Sequence, residues 1–280
     1  MSLDAQDFRE SIEIVVVDDG STEPVVVKSS RHPLRCLRRE VSQGRNSARN
    51  FGWRSAEAER IVFLDDDDRL TSDAIRLMVQ ASVDAPDAAA VASGRRYFGD
   101  RTGTAPWVHR RSTRMVLWDA FYGVPIGGPG VLFARRILET CDGLIEGLEV
   151  GEDWAGAIRI AAQGPVVLLP EPLMEVRVWG THRWASKHSE FAKALSAVPL
   201  EAQRWTPVSE RARLHATLAA FPEVRAMFDA SWKHAPMLAV LSLAQALRSD
   251  PLLATASLFW QVHGPSLAKT AVRSMLPWLW

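Results

Sequence analysis

Apolar residues in the first 180 positions fall in short continuous runs, each closed by turn-forming or acidic residues. Ile12-Glu13-Ile14-Val15-Val16-Val17 ends abruptly at Asp18-Asp19-Gly20-Ser21-Thr22. A β-branched run bounded in this way predicts a buried strand of the kind found in parallel sheets, and Asp-Gly-Ser supplies turn chemistry at its carboxyl end. Leu34 to Val41 predicts a second short strand. Gly44 to Glu59 predicts a helix carrying Ala48, Phe51, Gly52 and Ala56 on one face. Arg60-Ile61-Val62-Phe63-Leu64 predicts the next strand, which closes on Asp65-Asp66-Asp67-Asp68. Thr71-Ser72-Asp73 predicts a cap and a helix to Ala85, and Ala88 to Ser93 a further strand.

The basic, irregular segment Gly99 to Trp118 predicts a functional loop or an edge hairpin. Pro125-Ile126-Gly127-Gly128-Pro129-Gly130 predicts a rigid turn of close approach, followed by a strand at Val131 to Phe133 and a helix from Arg135. Gly151-Glu152-Asp153-Trp154 opens another helix that ends near Gly164, and Pro165 to Leu169 predicts one more strand. Strands alternating with helices imply an α/β fold with a mainly parallel sheet and flanking helices. In such sheets ligands sit beyond the carboxyl ends of the strands, where both acidic clusters lie. After Gln203 the texture changes to Ala-, Leu- and Trp-rich helical sequence interrupted by Pro222, Pro236, Pro251, Pro265 and Pro277. The expected organisation is an α/β domain over 1–200 and an α-helical C-terminal region over 201–280.

Composition narrows the function classes. Lys+Arg and Asp+Glu both number 33, so the basic surplus that bulk nucleic-acid binding needs is missing. Cys36 and Cys141 are too few and too far apart for a disulfide framework or a zinc site. The opening residues are polar, with no apolar signal-peptide core, and no run is long enough for a spanning helix. A cytoplasmic protein is expected. The apolar C-terminal helices, ending in Pro277-Trp278-Leu279-Trp280, read either as packing on the α/β domain or as peripheral contact with the inner membrane face.

The acidic runs carry the candidate chemistry. Four adjacent carboxylates repel one another, more strongly near a low-dielectric sheet edge, and a hard divalent cation such as Mg²⁺ or Mn²⁺ removes that repulsion. By charge alone the run reads equally well as a solvated loop with a helix cap. Asp18-Asp19 reads either as turn chemistry or as an acceptor for a nucleobase or ribose. Glu152-Asp153 fits the acid preference of a helix start as well as it fits a catalytic pair.

In combination these segments resemble a family. Ile14-Val15-Val16-Val17-Asp18-Asp19-Gly20-Ser21-Thr22 resembles the nucleotide-binding strand end of family 2 glycosyltransferases of the GT-A (Rossmann-like) fold. Gly44-Arg45-Asn46-Ser47-Ala48-Arg49-Asn50-Phe51-Gly52 resembles the helix that follows it, and Phe63 to Asp68 resembles the Asp-x-Asp metal motif. Cys141-Asp142-Gly143-Leu144-Ile145-Glu146 with Gly151-Glu152-Asp153-Trp154 resembles the acceptor-side motif. Each is weak alone, and their shared order over residues 12 to 180 carries the resemblance.

The resemblance implies an inverting, metal-dependent transfer from a nucleotide-diphosphate sugar, a UDP-sugar being the expected donor, to a hydroxyl on a glycan or lipid-linked glycan. It implies Asp153 as catalytic base with Glu152 beside it. Asp18 and Asp19 would contact the base, and Asp65 the ribose side with Asp66 as spacer. Arg45 and Arg49 would meet phosphate, and Asp67 would bind Mn²⁺ or Mg²⁺ with Asp68 as second ligand. His182, or alternatively His188, would complete the metal or diphosphate site, and Trp154 reads equally as a sugar-stacking ring or as a core or rim residue. The family has a strand and helix ahead of the Asp-Asp-Gly-Ser strand, where only 13 residues precede Ile14 here. A start lying upstream is the expectation, the other reading being a non-catalytic sugar-nucleotide-binding or scaffold protein on a degenerate GT-A fold. Ala155-Gly156 also departs from the acid and Leu usual there.

Overall fold

A computed structural model of the chain describes residues 2–100, 102–104, 113–115, 128–148, 151–179 and 199–212, with residues 214, 215 and 218. The first apolar run forms β1 (Ile14–Asp19), paired in parallel with β2 (Leu34–Arg39) from Ile14 opposite Leu34 to Asp19 opposite Arg39. Helix α1 (Arg45–Ser55) then packs back on β1 through Gly52, whose missing side chain leaves room for Val17. Next come β3 (Arg60–Val62), β4 (Arg69–Leu70), α2 (Ala74–Asp84) and β5 (Ala90–Gly99). The short strands β6 (Gly103–Thr104) and β7 (Thr113–Met115) precede β8 (Val131–Ala134). Helices α3 (Arg135–Thr140) and α4 (Glu152–Ala161) lead to β9 (Val166–Val178). A helical stretch follows at 199–205, then a 3-10 turn at Val208–Glu210.

The second sheet runs β3-β8-β5-β9-β4, with β6 on β5 and β7 on β9. The α/β class holds, and strand direction is mixed within it. The two long ladders, β1·β2 and β5·β9, are parallel, whereas the five short ones are antiparallel. An apolar run bounded by turns reports burial and not direction, so the short returning strands were not legible as antiparallel. β5 and β6 pair antiparallel, with Arg96 opposite Thr104 and Tyr97 opposite Gly103, and most of the 99–118 segment lies outside the described residues. β9 runs well past the expected Leu169. Its ladder with β5 shifts register between Ser93 and Arg95, skipping from Leu169 to Met174. Pro170 and Pro172 occupy the skipped stretch, where their missing N–H groups cost no ladder bond.

One core cluster lies between α2 and the second sheet, formed by Leu70, Ala74, Ile75, Met78, Val91, Leu132, Leu173 and Met174, and Phe133, Leu138, Ile158 and Ile160 are also fully buried. Ser2 to Ala5 form a turn. Just after it, Gln6 is buried; its Nε2 donates to the Thr71 carbonyl at 2.7 Å and its Oε1 accepts the Ile75 N–H at 3.1 Å. That amide satisfies one of the N–H groups a helix start leaves open. Gly130, at φ +74°, is the predicted close-approach turn: a Cβ there would lie 2.3 Å from Met174 Sδ. No helix among the described residues is long and apolar enough to cross a membrane. The C-terminal helices expected beyond residue 218 lie outside the described residues.

Candidate active site

The two aspartates at the end of β1 are held by the chain itself. Asp18 is buried; its Oδ1 accepts the Ser21 N–H at 2.9 Å and its Oδ2 the Val25 N–H at 3.1 Å, with Arg38 also on Oδ2. These hydrogen bonds hold its carboxyl well below the usual carboxylate range. Asp19 Oδ2 accepts from Ser42 Oγ at 2.8 Å and from the N–H groups of Gln43 and Gly44, both at 3.0 Å, while Arg39 lies 3.2 Å from Oδ1. Burial pushes this carboxyl up, but the hydrogen bonds outweigh burial and the net shift is downward. Asp18 therefore shapes the 20–25 loop and Asp19 fixes the lead into α1.

Helix α1 carries two Arg-Asn pairs one turn apart, and a four-residue spacing puts like residues on one face. The arginines reach two different acidic clusters. Arg49 donates to Asp65 Oδ1 at 2.6 Å, and Arg45 to Glu152 Oε1 at 3.2 Å. The asparagines hold the 144–146 loop. Asn46 donates to the Ile145 carbonyl at 2.8 Å. Asn50 donates to the Leu144 carbonyl and to Glu146, and accepts from the Leu144 N–H and the Trp53 indole. One helix thus connects the metal-type loop to the acceptor-side motif.

The four aspartates part company in the structure. Asp66 and Asp67 are exposed, while Asp65 and Asp68 are half-buried. Asp65 pairs with Arg49. Asp68 Oδ1 accepts the Arg177 N–H at 2.8 Å, and its carboxyl is pushed up to about 6 by burial, with the charges of Asp67 and Asp65 adding to the shift. Asp67 receives the Arg177 Nε on its carbonyl at 3.2 Å and the Trp179 indole on Oδ2 at 3.3 Å. Oxygen ligands of this kind suit Mg²⁺ or Mn²⁺, and a cation there would offset the burial and the neighbouring charges that raise Asp68. Among the described residues no group of three His, Cys, Asp or Glu side chains that could hold a metal ion comes together. His182 and His188 lie outside the described residues.

On the acceptor side, Glu152 and Asp153 open α4 after Gly151. Glu152 is buried, and burial followed by the Asp153 charge raises its carboxyl, opposed by Arg45 and Arg49. Asp153 is less buried, and its Oδ1 accepts the Trp154 N–H at 2.8 Å. Trp154 itself is 8% exposed, so its ring packs in the interior and is not open to a sugar. Cys141 is buried in the same region, which pushes its thiol up to about 11. Reading the sequence missed Asn46 and Asn50, although their four-residue repeat was a usable signal. It also missed Arg177 and Trp179, which meet the acidic loop only through tertiary structure.

Comparisons with known proteins bear on the family and the fold. Glycosyl transferase family 2 matches residues 2–140. An uncharacterized glycosyltransferase of Haemophilus influenzae is 41% identical over 64 residues, 22% of this chain and 22% of that protein. The GalNAc(5)-diNAcBac-PP-undecaprenol beta-1,3-glucosyltransferase of Campylobacter jejuni is 38% identical over 85 residues, 28% of this chain and 27% of that protein. The matches thus span about a quarter of these relatives' lengths. Among solved structures, residues 1–349 of TarS from S. aureus, in complex with UDP-GlcNAc, match with a TM-score of 0.66 at 17% identity. That match covers 96% of this chain and 83% of that one. The UDP complex gives 0.64 at 18% identity. These likenesses establish the GT-A fold.

Proposed function

The chain belongs to glycosyl transferase family 2, matched over residues 2–140, and from that premise we propose that it transfers a sugar from a nucleotide-diphosphate donor to a hydroxyl acceptor with inversion. The observation that carries this reading is the double bridge of α1: Arg49 on Asp65 and Arg45 on Glu152. A donor diphosphate lying along this helix face would meet two guanidiniums suited to bidentate oxyanion contacts. Its ribose would lie toward Asp65 and its base toward the β1 end shaped by Asp18 and Asp19. UDP-GlcNAc and UDP in the complexes of the S. aureus neighbour support a UDP-sugar. The polyprenyl-linked substrate named for the C. jejuni relative supports a lipid-linked acceptor, with the work done at the cytoplasmic face of a membrane.

In this mechanism Asp153 accepts the proton of the acceptor hydroxyl. The hydroxyl oxygen forms the new bond to the anomeric carbon from the face opposite the nucleotide, and the bond to the diphosphate oxygen breaks with its electron pair. Glu152, buried and with its carboxyl raised by that burial, orients the acceptor. Arg45 and Arg49 hold the departing diphosphate. Asp67 with Asp68 would hold a Mg²⁺ or Mn²⁺ ion, which would supply charge neutralisation for that leaving group. Calorimetry with UDP-GlcNAc, UDP-glucose and UDP-galactose in Mn²⁺, followed by UDP release with glycan and lipid-linked acceptors, tests the reading. Metal-dependent binding with release is expected. Asp153→Asn should keep binding and lose transfer by about a hundredfold or more. Near-normal transfer by that variant sinks the base assignment, and binding without any turnover favours a sugar-nucleotide-binding scaffold.

A further inference from the structure

One large aromatic side chain stands in solvent directly beside the acidic loop. Trp179 follows β9 and is 60% exposed. It is nevertheless held on two sides. Its indole N–H donates to Asp67 Oδ2 at 3.3 Å, and the Arg177 guanidinium lies 4.9 Å from its ring centroid. Arg177 is fixed in turn by the Asp67 carbonyl and by Phe98, whose ring centroid is 4.6 Å away. Arg69 also stacks on Phe98, at 3.8 Å, and pairs with Glu175 at 3.2 Å. Guanidiniums and rings therefore alternate from Arg69 through Phe98 and Arg177 to Trp179, and draw on β4, β5 and the end of β9.

Each cation–aromatic contact is weak alone. In series they restrict the indole before a ligand arrives, so little rotamer entropy remains to be lost on binding. An indole left in water forgoes the gain of burial, and one held rigidly there offers a surface that a ligand can cover. Its position selects the ligand. It touches Asp67, the diphosphate-side carboxylate of the proposed function. The base end of the donor is assigned to β1, in a different sheet. What lies beyond the diphosphate is a sugar ring, and the accepting sugar must approach the same carbon. A pyranose has an apolar C–H face that fits an aromatic ring, whereas its hydroxyls point outward to polar partners.

We propose that Trp179 is a stacking platform for a pyranose ring bound beside the Asp67 loop. The proposal rests on the nucleotide-sugar reading above and replaces Trp154, which is interior, as the aromatic that meets sugar. The test compares wild type with Trp179→Ala and Trp179→Phe in Mn²⁺, after thermal melts establish that both variants fold. Calorimetry measures UDP and the UDP-sugars side by side. Saturation-transfer NMR measures methyl β-glucopyranoside and methyl N-acetyl-β-glucosaminide on the UDP-loaded protein.

If the donor sugar is stacked, Trp179→Ala weakens the UDP-sugar about tenfold and leaves UDP within about twofold. If the acceptor sugar is stacked, both nucleotides are unchanged and the glycoside signals are lost. In either case Trp179→Phe, which keeps a ring but loses the N–H to Asp67, retains most of the sugar binding. An equal loss for UDP and UDP-sugar in both variants assigns the residue to holding Asp67 and overturns the proposal, as does no change in either arm. A wild type that binds neither UDP nor UDP-sugar refutes the nucleotide-sugar function instead, and the glycoside arm, run without nucleotide, then decides Trp179 alone.

Discussion

Glu152 and Asp153 are neighbours in sequence with different surroundings. Glu152 is 8% exposed and meets the Arg45 guanidinium, whereas Asp153 is more open. Burial, and then the Asp153 charge, raises the Glu152 carboxyl. A folded value above the unfolded one means that folding takes up a proton, so the parent protein loses stability as pH rises between the ordinary glutamate value and the raised one. Glu152→Gln does not titrate. It should therefore gain stability relative to the parent as pH rises through that window, measured by urea unfolding at a series of pH values. A constant difference across the series would show that Glu152 is ordinary in the fold. Sequence identified the pair as candidates, but adjacent carboxyls look alike until the fold says which one is desolvated.

At the scale of elements, α1 begins where the pattern expects it and ends at Ser55, short of the expected Glu59. Its Gly52 face against β1 and its Arg-Asn repeat are both properties of a single segment. Its partner, the loop at 142–147, is less legible, because the loop has no periodicity and takes its shape from α1. Asn50 is 1% exposed and makes four hydrogen bonds, two of them to the Leu144 backbone. Gly143 lies against it at φ +83°, where a Cβ would be 2.4 Å from Asn50 Oδ1. Asn50→Ala leaves buried donors and acceptors unpaired, at ~1–3 kcal/mol for each such group. The expected loss is about 3 kcal/mol in unfolding free energy, with weaker transfer as the acceptor side loosens. A variant as stable as the parent in chemical denaturation would mean that water replaces the amide.

Across the whole molecule, Arg159 joins three parts of the chain. Its guanidinium meets Glu201 at 2.7 and 3.0 Å, the Cys141 carbonyl at 3.1 Å and the Gly143 carbonyl at 3.4 Å. Trp205 donates to the same Glu201 at 2.8 Å. Both charges are nearly buried, with side chains 11% and 12% exposed. Glu201→Ala should cost about 3 kcal/mol, because a desolvated guanidinium then keeps only carbonyl partners. Differential unfolding of the two proteins measures it, and a cost under about 0.5 kcal/mol would mark the pair as a solvated one. The 199–205 stretch is thereby part of the candidate site's support, although its composition change near Gln203 marks it in sequence as the start of a separate region.

The sequence by itself determined the α/β class, the order of the principal elements and the placement of acids at strand and helix ends. These follow from local periodicity, turn chemistry and charge, all of which are written in contiguous residues. Four aspartates in a row also marked a loop that reads by charge either as a cation site or as a solvated turn with a helix cap. Only the tertiary structure decided that this loop is divided: Asp65 is bound to Arg49, Asp68 is desolvated, and Asp67 is exposed beside Trp179. It likewise decided strand direction, the interior place of Trp154 and the bridge from Asp65 through α1 to Glu152. Those outcomes depend on which surfaces meet across distances of tens of residues, and on the water that such contacts exclude. No window along the chain holds both halves of such a contact.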